Sequence, residues 1–128
     1  MTKYYDPRGR APRGVEITTG EVYEYLTGNG HFGKKKSIKS DYIALYFGVH
    51  DGKTNAYLRG VIKQAIADGY PIGSCSKGYY LFSTFDEILE ITNDLDTRIA
   101  GLEVRKTNLW QCWKQMQTET NGQNKIPL

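Results

Sequence analysis

A chain of 128 residues with 39% hydrophobic and 12% aromatic residues has material for one compact domain plus an appendage, which excludes a disordered chain. No stretch reaches the roughly 18 consecutive apolar residues of a membrane span, and Met1-Thr2-Lys3-Tyr4-Tyr5 lacks the apolar core of a secretory signal, so a cytoplasmic protein with no membrane partner is expected. The net charge of +3 is unevenly spread: residues 1–40 carry eight Lys/Arg against four Asp/Glu, residues 41–80 four against three, and residues 81–128 five against seven.

A basic front two-thirds points to a polyanion, since cations that neutralise phosphates release condensed counterions. Residues 1–14 set Pro7, Gly9, Pro12 and Gly14 among Arg8, Arg10 and Arg13, with almost nothing apolar after Tyr5, and are expected to form a flexible basic arm. Ile17, Val22, Tyr23 and Leu26 then follow a helical rhythm, with Thr18 or Thr19 as cap and Glu21 in the first turn. Gly28-Asn29-Gly30-His31-Phe32-Gly33 and the following Lys34-Lys35-Lys36 are too glycine-rich and too charged to continue it, and form a flexible basic loop.

A second, short helix opens at Ser40-Asp41, turns Ile43, Ala44, Leu45 and Phe47 inward and closes at Gly48, before the turn residues His50-Asp51-Gly52. The third starts at Thr54 or Asn55, follows Leu58, Val61, Ile62, Ala65 and Ile66 along one face and stops at Gly69. Its opposite face presents Tyr57, Arg59, Gly60, Lys63 and Gln64. Next come two short strand-like runs, Tyr70-Pro71-Ile72 and Tyr79-Tyr80-Leu81-Phe82, separated by the polar tip Gly73-Ser74-Cys75-Ser76-Lys77-Gly78.

The last helix starts at Ser83 or Thr84, with Asp86 and Glu87 where the helix dipole favours anions. Phe85, Ile88, Thr92, Leu95, Ile99, Leu102, Lys106, Leu109, Trp113 and Met116 alternate three and four residues apart, the pattern of a coiled-coil seam. In a parallel pair Arg98 and Glu103 have the spacing of an interchain salt bridge, and Lys106 is a single charged core position. Leu89, Ile91 and Trp110 widen the apolar stripe, so a helix folded back on its own domain is the alternative to a homodimer. The fold class is thus mainly α with a small β-hairpin. Residues 1–14 are the arm, 15–82 the domain, 83–117 the long helix with its dimerisation residues Ile88, Leu95, Ile99, Leu102, Leu109 and Trp113, and 118–128 a loose tail.

Three helices followed by a hairpin, and above all the stretch from Tyr57 to Leu81 with its Gly69-Tyr70-Pro71-Ile72 and Lys77-Gly78-Tyr79-Tyr80-Leu81, resemble the recognition helix and wing of winged-helix (winged helix-turn-helix) proteins, notably small phage and bacterial ones. The resemblance covers about Ile17 to Phe82 and implies a third helix in the major groove of double-stranded DNA, with the wing on neighbouring backbone. Thr54, Asn55, Tyr57, Arg59 and Lys63 are then the candidates for groove contacts, Arg59 toward guanine and Asn55 toward adenine. Ser74, Ser76 and Lys77 are the candidates on the wing, and Lys63 and Lys77, with Lys34, Lys35 and Lys36 of the loop, are those for phosphates. Arg8-Gly9-Arg10-Ala11-Pro12 is similar to the Arg-Gly-Arg-Pro core of AT-hooks with one residue inserted, which implies an arm whose Arg8 and Arg10 enter the minor groove.

Catalysis is not expected. His31, His50, Cys75 and Cys112 stand 19, 25 and 37 residues apart, which matches no ligand spacing, and neither HExxH, GxSxG nor a P-loop occurs. No metal or cofactor is expected, and both thiols are expected free. The function expected is sequence-selective DNA binding by a dimer, in transcription control or in replication or packaging of a phage or mobile element. The alternative is a phage-type interaction factor that docks on a host enzyme or defence complex.

Overall fold

The computed structural model describes residues 9 to 121, the last two by their backbone alone, and the chain forms two compact units, residues 1–91 and 92–128. The elements are α1 (Thr19–Gly28), α2 (Ser40–Phe47), α3 (Ala56–Ala67), β1 (Ile72–Cys75), β2 (Gly78–Leu81) and α4 (Phe85–Asn121), with short 3-10 turns at Pro12–Gly14 and Lys34–Lys36. The fold is mainly α with a small antiparallel hairpin and a long C-terminal helix. Three helices followed by such a hairpin are compatible with a winged-helix layout.

Local chemistry explains where each helix begins. At α1 the Thr18 hydroxyl accepts from the Glu21 backbone N–H (3.1 Å) while the Glu21 carboxylate accepts from the Thr18 N–H (2.8 Å), a reciprocal capping box. The same device opens α4: Thr84 Oγ1 accepts from Glu87 N (3.1 Å), and Glu87 Oε1 accepts from the N–H groups of Ser83 (2.9 Å) and Thr84 (3.2 Å). Helix α2 stops at Gly48, whose φ of 74° is the left-handed conformation that ends helices.

The core of the first unit lies around α3, which packs against α1 and also touches α2 and β1. Leu26, Ile43, Leu58 and Ile62 are at most 2% exposed, and burying such a side chain contributes about 1.5–3 kcal/mol. Because α3 is covered on several sides, its buried arc is wider than the sequence rhythm implies. Tyr57 and Gly60, expected on the solvent face, are buried, and the stripe left open is Ala56, Arg59, Lys63, Ile66 and Ala67. Ile66, expected inside, is 51% exposed. Leu45 of α2 is corrected likewise: it lies about 200° around the helix from Ile43 and is 56% exposed.

The hairpin pairs Ile72 with Leu81, Gly73 with Tyr80, Ser74 with Tyr79 and Cys75 with Gly78. Only Ser76 and Lys77 form the turn, so the strands run further into the tip than the sequence suggests. Both glycines are close-approach positions. A Cβ on Gly73 would lie 2.6 Å from Ile91 Cδ1, in the opening turns of α4.

The segment expected to be a flexible basic loop is pinned to β2 on both sides of its lysines. His31 O accepts from Leu81 N (2.8 Å) and Gly33 N donates to Leu81 O (2.9 Å), while Ile38 and Tyr79 exchange two N–H···O bonds of 2.8 Å each. Lys34 and Glu90 form an ion pair within the same unit. The end of the basic arm is also held: Ala11 packs on the core and the Arg13 guanidinium donates to His50 O (2.5 Å). Arg8 lies outside the described residues.

In the second unit every residue from Thr92 to Gln115 is exposed, including Leu95 (44%), Ile99 and Leu102 (both 57%), Leu109 (63%) and Trp113 (50%). Ile88, expected on the same seam, is half-buried and belongs to the first unit. The helix runs to Asn121, beyond the expected end at 117, since no residue before Asn121-Gly122 breaks it. Residues 122–128 of the expected tail lie outside the described part.

Gly78 has a φ of 129°, and a Cβ there would fall 2.1 Å from the Ile38 carbonyl oxygen. Gly78→Ala is therefore expected to destabilise the first unit by about 1–3 kcal/mol, measured by chemical denaturation followed by circular dichroism. A variant as stable as the parent would show that this backbone approach is not a constraint.

Candidate nucleic-acid interface

The loop before α3 is organised by one carboxylate. Asp51 Oδ1 accepts from the backbone N–H groups of Lys53 (2.8 Å) and Asn55 (3.0 Å), and Oδ2 accepts from that of Ala56 (3.3 Å). These bonds, the one from Lys53 foremost, hold the Asp51 carboxyl below its ordinary range. Asn55 stands at the N-cap position of α3, as the sequence nominated, but its side chain makes no capping bond; the Asp51 carboxylate, four residues upstream, takes the N–H groups there instead.

Asn55 is 2% exposed and sits in the left-handed region with a φ of 56°, a conformation asparagine tolerates better than most residues. Its side-chain nitrogen donates to Asp41 Oδ1 (2.6 Å) and Ser40 Oγ (3.4 Å), which ties the start of α3 to the start of α2. Asn55 thus has no free edge for a base, a correction to its expected role. Tyr57 is corrected too: it is 5% exposed and its hydroxyl accepts from Ile17 N (3.1 Å).

Two carboxylates, Asp41 and Asp51, consequently stand at the N-terminal end of α3, and Asp51 occupies N–H groups that a phosphate would otherwise use. The cationic part of the helix is its middle, where Arg59 and Lys63 are exposed. Arg59 also links helix to hairpin: Nε donates to Thr54 O (2.5 Å) and Nη1 to the Tyr79 hydroxyl (3.3 Å). Thr54, Ser74, Ser76 and Lys77 are exposed or half-buried at the surface, as are Arg10 and the three lysines Lys34–Lys36.

A second cationic feature lies between the hairpin turn and the start of α2. Lys77, Lys35 and Lys39 line one open cleft together with Tyr42 and His31. His31 is held there by its Nδ1 against Lys36 O (2.9 Å); since a carbonyl only accepts, this nitrogen carries the proton. Sequence reasoning found Lys35 and Lys77 but missed Lys39, Tyr42 and His31. The available signal was the recurrence of lysine three residues after the Lys34–Lys36 run, at the helix boundary. It went unused because nothing in a sequence shows that the hairpin turn returns to that boundary.

No family model, curated protein or solved structure matches this chain. The site therefore rests on its own geometry. Among the described residues no three His, Cys, Asp or Glu side chains are grouped to hold a metal ion, and no helix is long and apolar enough to cross a membrane. Cys75 and Cys112 are free thiols.

A depressed folded-state pKa makes the contribution of Asp51 complete above its ordinary value of 3.8 and lost as pH falls through the lower folded value. Asp51→Asn, which cannot carry the charge, is expected to be less stable than the parent at neutral pH, with the difference closing below about pH 4. Thermal melts across a pH series check this, and a difference that stays constant into acid would show that the charge of Asp51 contributes nothing.

Proposed function

We propose that the first unit is a winged-helix domain that binds double-stranded DNA through Arg59 and Lys63 of α3 and the hairpin turn at Lys77, and that two chains pair through α4. The carrying observation is the Arg59–Tyr79 contact, which makes the exposed stripe of α3 and the hairpin one continuous surface bearing cations. A helix supplies a shape that fits the major groove, and the one lysine of the flanking hairpin, Lys77, reaches phosphates. The two carboxylates at the N-terminal end of α3 turn the contact toward the middle of that helix. We place the protein in the cytoplasm of a bacterial or phage-infected cell, in transcription control or in replication or packaging of a phage or mobile element.

For pairing, the support is an apolar seam on a helix otherwise surrounded by water, with leucine at three successive d positions, Leu95, Leu102 and Leu109, and Ile99 at a. Charge selects the orientation. In a parallel pair Arg98 faces Glu103 of the other helix and Arg105 faces Trp110, whereas an antiparallel pair would oppose arginine to arginine and acid to acid. Lys106, at a core position, bonds within its own helix to Glu103 (3.4 Å).

Gel shifts on duplex fragments are expected to weaken by about five- to a hundredfold for Arg59→Ala or Lys63→Ala at a specific site, from contacts of about 1–3 kcal/mol each. The affinity should fall steeply with salt, with a slope of about −0.9 per phosphate contacted. Equal binding by both variants would remove α3 from the interface, and no binding to duplex at any salt would favour the docking factor. Light scattering is expected to give twice the mass of one chain, and one chain mass for Leu102→Asp. A parent that runs as a single chain would end the pairing proposal.

A further inference from the structure

The cleft beside the hairpin turn has properties that duplex binding by α3 does not call for. It is an open recess of about 500 Å³, room for one nucleotide laid against the surface. Three lysines, Lys35, Lys39 and Lys77, are among its lining residues, and no acidic residue is. The neighbouring Lys34 is different, because Glu90 already neutralises it. Among the described residues the two ion pairs are Lys34–Glu90 and Lys106–Glu103, so the three cleft lysines enter neither. Gathering three like charges around one recess is unfavourable in the free protein, and an anion there removes that repulsion.

Tyr42, 61% exposed, also lines the recess. A phosphate alone needs no aromatic surface. A duplex keeps its bases stacked inside and can offer this recess only backbone. Cations beside a water-exposed aromatic ring are instead the combination that holds an unpaired nucleotide, with the charge on the phosphate and the ring under the base.

We propose that the cleft of Lys35, Lys39, Tyr42 and Lys77 binds a nucleotide with an unpaired base, its phosphate among the lysines and its base stacked on Tyr42. Such a nucleotide is supplied either by a single strand or by a free mononucleotide. The site shares Lys77 with the proposed duplex surface, but Lys35, Lys39 and Tyr42 lie outside that surface and Arg59 and Lys63 lie outside the cleft. Fluorescence anisotropy of the full chain with a labelled oligothymidylate of about twelve nucleotides, within the usual site sizes for one domain, tests the assignment.

Tyr42→Ala is expected to weaken single-strand binding by about five- to a hundredfold, and Tyr42→Phe, which keeps the ring, to stay within about twofold of the parent. Lys39→Gln with Lys77→Gln should weaken binding and lower the salt slope by about 1.4, because two fewer phosphates are neutralised. Arg59→Ala should leave single-strand affinity unchanged while weakening duplex binding, so the two assignments fail separately. Displacement of the oligonucleotide by thymidine monophosphate at concentrations near its own affinity identifies a free nucleotide as ligand, and its absence identifies a strand; either keeps the site. Absence of binding by both, parent-like binding by Tyr42→Ala, or a loss in Tyr42→Phe as large as in Tyr42→Ala overturns the proposal. Since Tyr42 is exposed, a circular dichroism spectrum matching the parent's confirms that each variant is folded.

Discussion

The double hydrogen bond between Ile38 and Tyr79 organises the polar surface of the first unit. It draws the chain after Lys34–Lys36 onto the outer edge of β2 and brings the Ile38 carbonyl so near Gly78 that no side chain fits between them. From that contact the rest follows in order. The hairpin turn comes to the start of α2, Lys77 meets Lys35 and Lys39, and the Tyr79 hydroxyl arrives beside Arg59. A two-residue turn on short strands would otherwise be a marginal hairpin. Here β2 is hydrogen-bonded along both edges, which gives the cations a fixed frame.

Around the start of α3 the electrostatics run the other way. Asp51 caps the helix, Asp41 takes the side chain of Asn55, and a residue that could have read a base is engaged inside the protein. Leaving the buried side chain of Asn55 unsatisfied costs about 1–3 kcal/mol, so the arrangement resists opening for a ligand. The positive surface is displaced from the tip of α3 to its middle and to the hairpin side. This displacement separates two surfaces, the α3 stripe and the recess by α2, that a sequence would count as a single basic region.

The second unit presents a different physical problem. A helix of this length has every backbone bond satisfied internally apart from its ends, yet its apolar side chains lie in water between Leu95 and Trp113. Helices in proteins draw most of their stability from packing of an amphipathic face, and the seam here is regular enough to specify how another helix would fit it. Its arginine and glutamate positions on either side favour one orientation of a pair.

The sequence by itself determined the helices, the threonine caps of α1 and α4 and the existence of a hairpin, because these depend on local rules: Thr18 with Glu21, Thr84 with Glu87, and glycine after α2 and α3. It also determined the apolar seam of the long helix, since a periodic pattern needs no partner to be visible. Which side chains of α3 face water was decided only by the tertiary structure. Tyr57, Gly60 and Asn55 are polar or small enough to sit on a surface, and were enclosed because α1, α2 and β1 all close on the same helix. The recess of Lys35, Lys39, Tyr42 and Lys77 was decided there too, for it joins segments more than thirty residues apart through backbone bonds that carry no side-chain signature. Local propensity is written residue by residue, whereas a long-range backbone pairing leaves its mark only in the one glycine, Gly78, that makes room for it.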